Sequence, residues 1–425
     1  MAEKKALKVQ TTELDYLKWR GDLSFSADPF NEVDNLVLCT IAYLNFSRFP
    51  QVETKDPAKA VRLAEIGTKM DKRDDQMGLS EHSYLPVMRA AAKCVRFRDV
   101  KMFGYVNELD TARESQFHAI SFLLPTNLLF VAFMGTDKSL AGWKENFNLS
   151  FCDCVPTQKR AQEYAVEMAT ICADRKLLIG GHSKGGNLAA WATIHLPGEM
   201  QEKQLLQAYN NDGPGFTHDL LSSEAYKRVE KRLLTFIPEE SIVGVLLEHE
   251  ENYFVVDSVN RGMLQHDIIS WGCIGNRMAY LKKRSKFGQS SDEVVHQWIS
   301  SMTEEEREEF SDALFAVLSA NGKYQTIQEV VDGGISGAWD RIRCFSTVDP
   351  EKRKLMLDVF RRLGVDVKDE MRRDAEQNLQ NVKEHLKTTI ENLTEKIKYK
   401  TLWCFTTGFF LLETKSRENF PAERW

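Results

Sequence analysis

The spacing of apolar positions changes along the chain, and each change predicts a different kind of element. In the stretch Asn31–Phe46, Val33, Leu36, Ile41 and Leu44 fall broadly on one helical face. Asn31 and Asp34 stand at the start of that helix, where such residues cap the backbone or face solvent. Residues 53–93 continue as helical packing, with a polar interruption over 71–78. From about Val95 the pattern shortens into apolar runs that predict strands: Met102–Glu108, Gln116–Pro125 and Asn127–Met134. Pro125-Thr126-Asn127 has turn chemistry, so the last two runs are expected to form a hairpin. The second of them is apolar on both faces, as in a central strand covered by helices on each side.

Beyond it the pattern alternates. A helix is expected over about 157–173, a strand over Lys176–Ile179, a helix over Asn187–Leu196, and strands within 204–210, 232–237 and 252–257. Strands alternating with helices predict an α/β fold with a mainly parallel central sheet, flanked by helices and carrying its function on loops at the strands' C-terminal ends.

The last third is helical in pattern. Thr303 and Glu306 form a capping box opening a helix that runs to about Ala320, and a second run covers 350–363. From Met371 to Ile397 apolar residues recur every three or four positions, a narrow stripe that suits a helix lying on the domain or a self-pairing coiled coil. Leu402–Leu412 is apolar but shorter than the roughly 20 residues that span a bilayer. Lys396, Lys398 and Lys400 precede it, so the segment 371–412 is expected to serve self-association, peripheral membrane contact or plain packing. The expected division is an α/β domain over 1–345 and a helical extension over 346–425.

Composition narrows the class. With 43% apolar and 28% charged residues the chain is expected to build a sizeable core, and a net charge of −6 argues against a nucleic-acid partner. The N-terminal residues are charged and show no apolar signal segment. Eight scattered cysteines, of which Cys152 and Cys154 are the closest pair, match neither a disulfide framework nor a zinc site. Free thiols and a cytoplasmic setting are the expectation, with no metal and no organic cofactor.

The candidate chemistry centres on Gly181-His-Ser-Lys-Gly185, which lies between a predicted strand and a predicted helix. A strand that turns directly into a helix strains its corner residue, and glycines on either side relieve the crowding. Ser183 would sit on that corner as a nucleophile, with the helix N-terminus behind it. A serine hydroxyl needs a base, and the base needs a carboxylate to hold its tautomer. Where the nucleophile comes first in the chain, the acid and then the histidine follow. His266 is the histidine in a loop just after the final strand, whereas His182 is expected to point away from the nucleophile. Asp212, in a tight turn after a strand, is the first choice for the acid, with Glu240 as the alternative. The oxyanion donors would be Thr136, at the end of the central strand, and the backbone amide of Lys184.

Several separate motifs, spread over roughly residues 10–330, carry a family resemblance. They are Trp19-Arg-Gly-Asp-Leu-Ser-Phe25, Phe30-Asn-Glu-Val-Asp-Asn35, Gly135-Thr-Asp137, Gly142-Trp-Lys-Glu145, Gly181 to Ala189, Asp212-Gly-Pro-Gly-Phe216 and Gln265-His-Asp267. In this order they resemble the Mbeg1-like family, a bacterial group of α/β-hydrolase proteins related to class 3 lipases. The resemblance implies an α/β-hydrolase fold, Ser183 as nucleophile and an acyl-ester substrate, either a small molecule or a lipid. Class 3 lipases also imply Thr136 as the oxyanion residue. The chain departs from them in having Met134 where they have arginine. It has Ser241 where they place the acid, which moves the acid to Asp212. Their His-Asp-Pro-Phe-Ser-Trp segment becomes His266-Asp-Ile-Ile-Ser-Trp271. The expected activity is hydrolysis of carboxylic esters of hydrophobic acyl chains. A thioesterase or acyltransferase on the same triad, and a catalytically silent scaffold, are the alternatives.

Overall fold

Among the described residues one sheet carries nine strands, ordered as they occur in the chain. They are β1 (Val61–Arg62), β2 (Lys101–Asp110), β3 (Ser115–Leu124), β4 (Leu128–Phe133), β5 (Lys176–His182), β6 (Leu205–Asn211), β7 (Leu233–Pro238), β8 (Phe254–Val256) and an edge strand at Tyr280–Leu281. The pairs from β4 to β8 are parallel, and those at both edges are antiparallel. The computed structural model describes residues 11–75, 83–110, 115–137, 139–149, 154–241, 243–245, 253–285, 303–326, 329 and 334–362. Two units are distinguished, Met1–Met356 and Leu357–Trp425. The expected amphipathic stripe and apolar run of 371–412 lie outside the described residues.

The expected hairpin is β3–β4, in which Leu124 pairs with Leu128 across a turn where Asn127 takes φ 59°. Asparagine tolerates that left-handed conformation better than most residues. Both faces of β4 are covered. Phe130 and Ala132 join the apolar cluster beneath α1 (Glu13–Arg20), α2 (Glu32–Ile41), α3 (Leu63–Gly67) and α4 (Leu85–Lys93). Leu129, Val131 and Phe133 join the opposite cluster, which includes residues of α6 (Pro156–Ile171) and α7 (Lys184–Ile194). Full burial of such side chains contributes about 2 kcal/mol each. Between these layers α5 (Leu140–Asn148) follows β4 and packs on β3. Among the described residues no helix is long and apolar enough to cross a membrane.

One expectation for the N-terminal region is corrected, and of the two readings of Asn31 and Asp34 the caps are what is found. Helix α2 is not one-sided, since every residue from Val33 to Ile41 is buried. It is packed between the sheet and helices α1 and α4, so polar positions are enclosed along with apolar ones. Asp34 is therefore not solvated. Its carboxylate accepts from the Asn31 backbone, as a helix cap does, from Tyr16 Oη at 2.9 Å and from Arg96 Nε at 2.6 Å. The Arg96 guanidinium also donates to the carbonyls of Leu23, Asp28 and Pro29, and lies over the Phe25 ring at 4.3 Å. The Trp19–Phe25 and Phe30–Asn35 motifs are thus gathered around one buried cation.

Candidate active site

Strand β5 ends at His182, α7 begins at Lys184, and Ser183 alone makes the turn with φ 58° and ψ −131°. A non-glycine residue in such a conformation costs of order 1–3 kcal/mol and persists only where its surroundings impose it. Here they do. A Cβ on Gly181 would run into the Gly185 carbonyl, and one on Gly185 into the Phe133 carbonyl, so the corner closes only with glycine at both places. The Ser183 N–H donates to Asn211 O at 3.0 Å. From the other side Asn211 Nδ2 donates to Gly181 O at 2.8 Å, and Asn35 Nδ2 donates to Asn211 Oδ1 at 2.9 Å. The strand is longer than its apolar run predicts, because this amide clamp lets Gly180–His182 keep pairing with β6.

Ser183 Oγ lies 2.9 Å from His266 Nε2, and His266 Nδ1 lies 2.6 Å from Asp212 Oδ2. With a carboxylate at Nδ1, that nitrogen carries the proton and Nε2 faces the serine as an acceptor. Asp212 is fully buried at the end of β6, itself at φ 53°, with its N–H donating to Phe236 O at 2.8 Å. The same Oδ2 accepts a second bond, from Ser241 Oγ at 2.6 Å. The alternative acid does not take this place. Glu240 meets Gln265 instead, its N–H donating to Gln265 Oε1 at 2.9 Å while its carboxylate accepts from Gln265 Nε2 at 3.4 Å. The turn after β7 directs Ser241 inward and leaves Glu240 partly exposed.

His182 does not point clear of the site. Its ring packs 4.7 Å from the His266 ring, and Nε2 lies 2.7 Å from the His266 backbone oxygen. Nδ1 lies 2.7 Å from Tyr43 Oη. Burial, reinforced by the neighbouring imidazole of His266, holds the His182 pKa well below its ordinary value, so the ring is neutral. A carbonyl can only accept, hence Nε2 carries the single proton and Nδ1 accepts from the Tyr43 hydroxyl. Gly135 lies against the other side of the Tyr43 hydroxyl.

The two expected oxyanion donors flank the serine differently. Lys184 is the first residue of α7, where a backbone N–H has no acceptor within the helix and the helix dipole is positive. Thr136 follows β4 and is 1% exposed; its hydroxyl has no hydrogen-bond partner among the described residues. The preceding Gly135 lies against the elbow, close to Ser183 Cβ and His182 O.

A mixed sheet that is parallel from β4 to β8, with a strand–serine–helix corner in that part and an aspartate and a histidine following after later strands, defines an α/β-hydrolase fold. A family model described as Mbeg1-like matches residues 91–316, and the chain belongs to that family. No curated protein matches it. Solved structures it is similar to include M37 lipase at 13% identity and TM-score 0.34, covering 50% of this chain and 68% of that one. Native Rhizomucor miehei lipase in its propeptide complex has 13% identity and TM-score 0.35, covering 57% and 79%. Lipase II from Rhizopus niveus has 14% identity and TM-score 0.30, covering 52% and 84%.

Sequence reasoning missed the supporting residues. Ser241 and Tyr43 carried no local signal, because a buried hydroxyl in a loop or helix looks like any other. Gln116 and Glu145 did carry one. The first is a polar residue opening an apolar strand, and the second ends the Gly142-Trp-Lys-Glu145 motif; both are buried beside the elbow. Trp271 is fully buried and donates to Gln265 O at 2.9 Å, bracing the histidine loop from below.

Proposed function

We propose that the protein is a serine hydrolase that cleaves carboxylic esters of hydrophobic acyl chains through an acyl-serine intermediate. The observation that carries this reading is the unbroken run of short contacts from Ser183 Oγ through the His266 imidazole to Asp212 Oδ2. His266 Nε2 takes the hydroxyl proton as Oγ attacks the ester carbonyl, and Asp212 stabilises the imidazolium that forms. The amides of Thr136 and Lys184 hold the oxyanion. The tetrahedral intermediate collapses with the alkoxide leaving, protonated by His266. Water, deprotonated by His266, then attacks the acyl-serine, and a second collapse frees the carboxylic acid and restores Ser183.

An apolar substrate is supported by the histidine loop. Leu264, two residues before His266, is 71% exposed, and Val259 is 43% exposed. Apolar side chains displayed beside a polar reaction centre suit an acyl chain better than a charged group.

A fluorophosphonate probe tests the nucleophile. Wild type is expected to label and Ser183→Ala not to; equal labelling of both, or none of either, would favour a silent scaffold. Rates on p-nitrophenyl esters of graded acyl length are expected to rise with chain length, and thioesters or acceptor alcohols in the same assay separate hydrolase from thioesterase or acyltransferase.

A further inference from the structure

Lysine is an unfavourable choice for the first residue of a helix, since its charge opposes the positive end of the helix dipole. Lys184 holds that position and is 1% exposed, so its ammonium is also taken out of water, at a cost of several kcal/mol before any pairing. All three of its donors are used. Nζ lies 2.7 Å from Gln116 O, 3.3 Å from Gln116 Oε1 and 3.0 Å from Glu145 Oε2. Each acceptor leads back toward the loop that carries Thr136. Gln116 Oε1 also accepts from the N–H of Asp137, the residue after Thr136, at 3.4 Å. Glu145 lies on α5, which begins four residues after Thr136, and is fixed in turn by Thr157 Oγ1 at 2.9 Å and Gln116 N–H at 3.3 Å.

We infer that the Lys184 ammonium, held by Gln116 and Glu145, sets the separation of the two oxyanion amides, so that Lys184 acts as an oxyanion donor through its backbone and as a positioning residue through its side chain. The inference rests on the hydrolase reading above. An oxyanion hole works because its donors are already aimed at the charge that develops, and the two donors here belong to different elements, the end of β4 and the start of α7. Backbone contacts fix each element on its own. The Lys184–Gln116–Asp137 bridge spans the short distance between them with side chains that a hydrophobic core does not require. Lysine fits the role because three acceptors surround one compact charge, whereas a guanidinium needs its acceptors spread around the plane of a larger group.

The test is kinetic, on full-length protein, with kcat calculated per site titrated by fluorophosphonate so that unfolded chains do not count. In the double variant Lys184→Met with Glu145→Leu, apolar side chains of similar size replace the buried pair, a change that is commonly neutral or stabilising. The expected result on a p-nitrophenyl ester is a Tm near or above wild type, kcat lower by about 10- to 100-fold, and KM within about twofold, since oxyanion contacts act in the transition state. Gln116→Leu, which cuts the bridge to Asp137 and leaves the ion pair, is expected to lower kcat by about 3- to 10-fold with KM unmoved, and it serves should the double variant not fold. Wild-type kcat per titrated site in either folded variant overturns the inference and leaves the hydrolase reading standing. A wild type that neither turns over esters nor labels at Ser183 overturns both.

Discussion

His182 Nε2 donates to the backbone oxygen of His266 across 2.7 Å, so the residue before Ser183 holds the residue whose imidazole faces the Ser183 hydroxyl. The contact depends on a tautomer that Tyr43 selects by donating to Nδ1 at 2.7 Å. Gly135 lies against the same hydroxyl, so Tyr43 stands between the loop after β4 and the elbow. Tyr43→Phe removes one oxygen without opening a cavity of any size. It leaves His182 Nδ1 unpaired, a cost of roughly 1–3 kcal/mol in stability. With the tautomer no longer selected, kcat is expected to fall about 5- to 20-fold at nearly constant KM. Denaturant unfolding and steady-state kinetics on one preparation check both; an unchanged kcat would remove Tyr43 from the positioning of the base.

Ser241 and His266 converge on one oxygen of the Asp212 carboxylate, and Asp212 and Ser241 follow adjacent strands, β6 and β7. Asp212→Asn is expected to lower kcat by about 10⁴, since an amide cannot orient the imidazole as a carboxylate does. A carboxylate launched from position 241 would arrive at nearly the same point. In Asp212→Gly, where glycine accommodates the φ of 53°, adding Ser241→Asp is expected to restore kcat at least about tenfold over the single variant. No rescue would mean that the two strand ends are not interchangeable as platforms for the acid.

Glu13 is a buried carboxyl in the layer behind the histidine loop, bonded by Thr40 Oγ1 at 2.9 Å. Burial first, and the nearby charge of Asp267 to a smaller degree, push its pKa up to about 8, with the Thr40 bond opposing them. A carboxyl whose pKa rises on folding binds its proton more tightly in the folded state. Its contribution is therefore complete below the unfolded value near 4.5 and is lost as pH climbs toward 8. Glu13→Gln has no proton to lose, so its stability relative to wild type is expected to improve by of order 1 kcal/mol per pH unit across that window and to level off above it. Urea titrations at pH 5, 6.5 and 8 measure the slope; parallel curves at all three would show that Glu13 does not titrate there.

Arg96 is the buried cation that the two N-terminal motifs surround. Arg96→Leu strands the Asp34 carboxylate in the core, where no described side chain replaces the lost charge. The expected loss is about 3–5 kcal/mol, with kcat per titrated site little changed because the hydrogen bonds of Arg96 go to Asp34 and to the carbonyls of Leu23, Asp28 and Pro29, away from Ser183, His266 and Asp212. Should kcat fall while stability holds, the N-terminal cluster would have to be placed within the catalytic machinery.

The order of strands and helices, the corner at Ser183 and the positions of His266 and Thr136 on strand-end loops were legible before any coordinates. These features depend on near-neighbour rules: apolar period, turn residues, and glycines where a backbone must fold back on itself. What could not be read was which side chains meet across long separations. Asp212 and Glu240 are both acidic residues just past a strand, and only the inward turn at Ser241 decided between them. His182 was expected to face away because chain adjacency says nothing about where a ring goes after a strained turn. Asp34 and Lys184 have the composition of surface residues, yet both are buried, since a charge can leave water when a partner far along the sequence arrives with it. The sequence by itself determined the architecture and the strained corner that carries Ser183, because these follow from local geometry. The tertiary structure decided which carboxylate meets His266, the tautomer of His182 and the partners of Lys184, because each depends on distances between elements that local patterns do not encode.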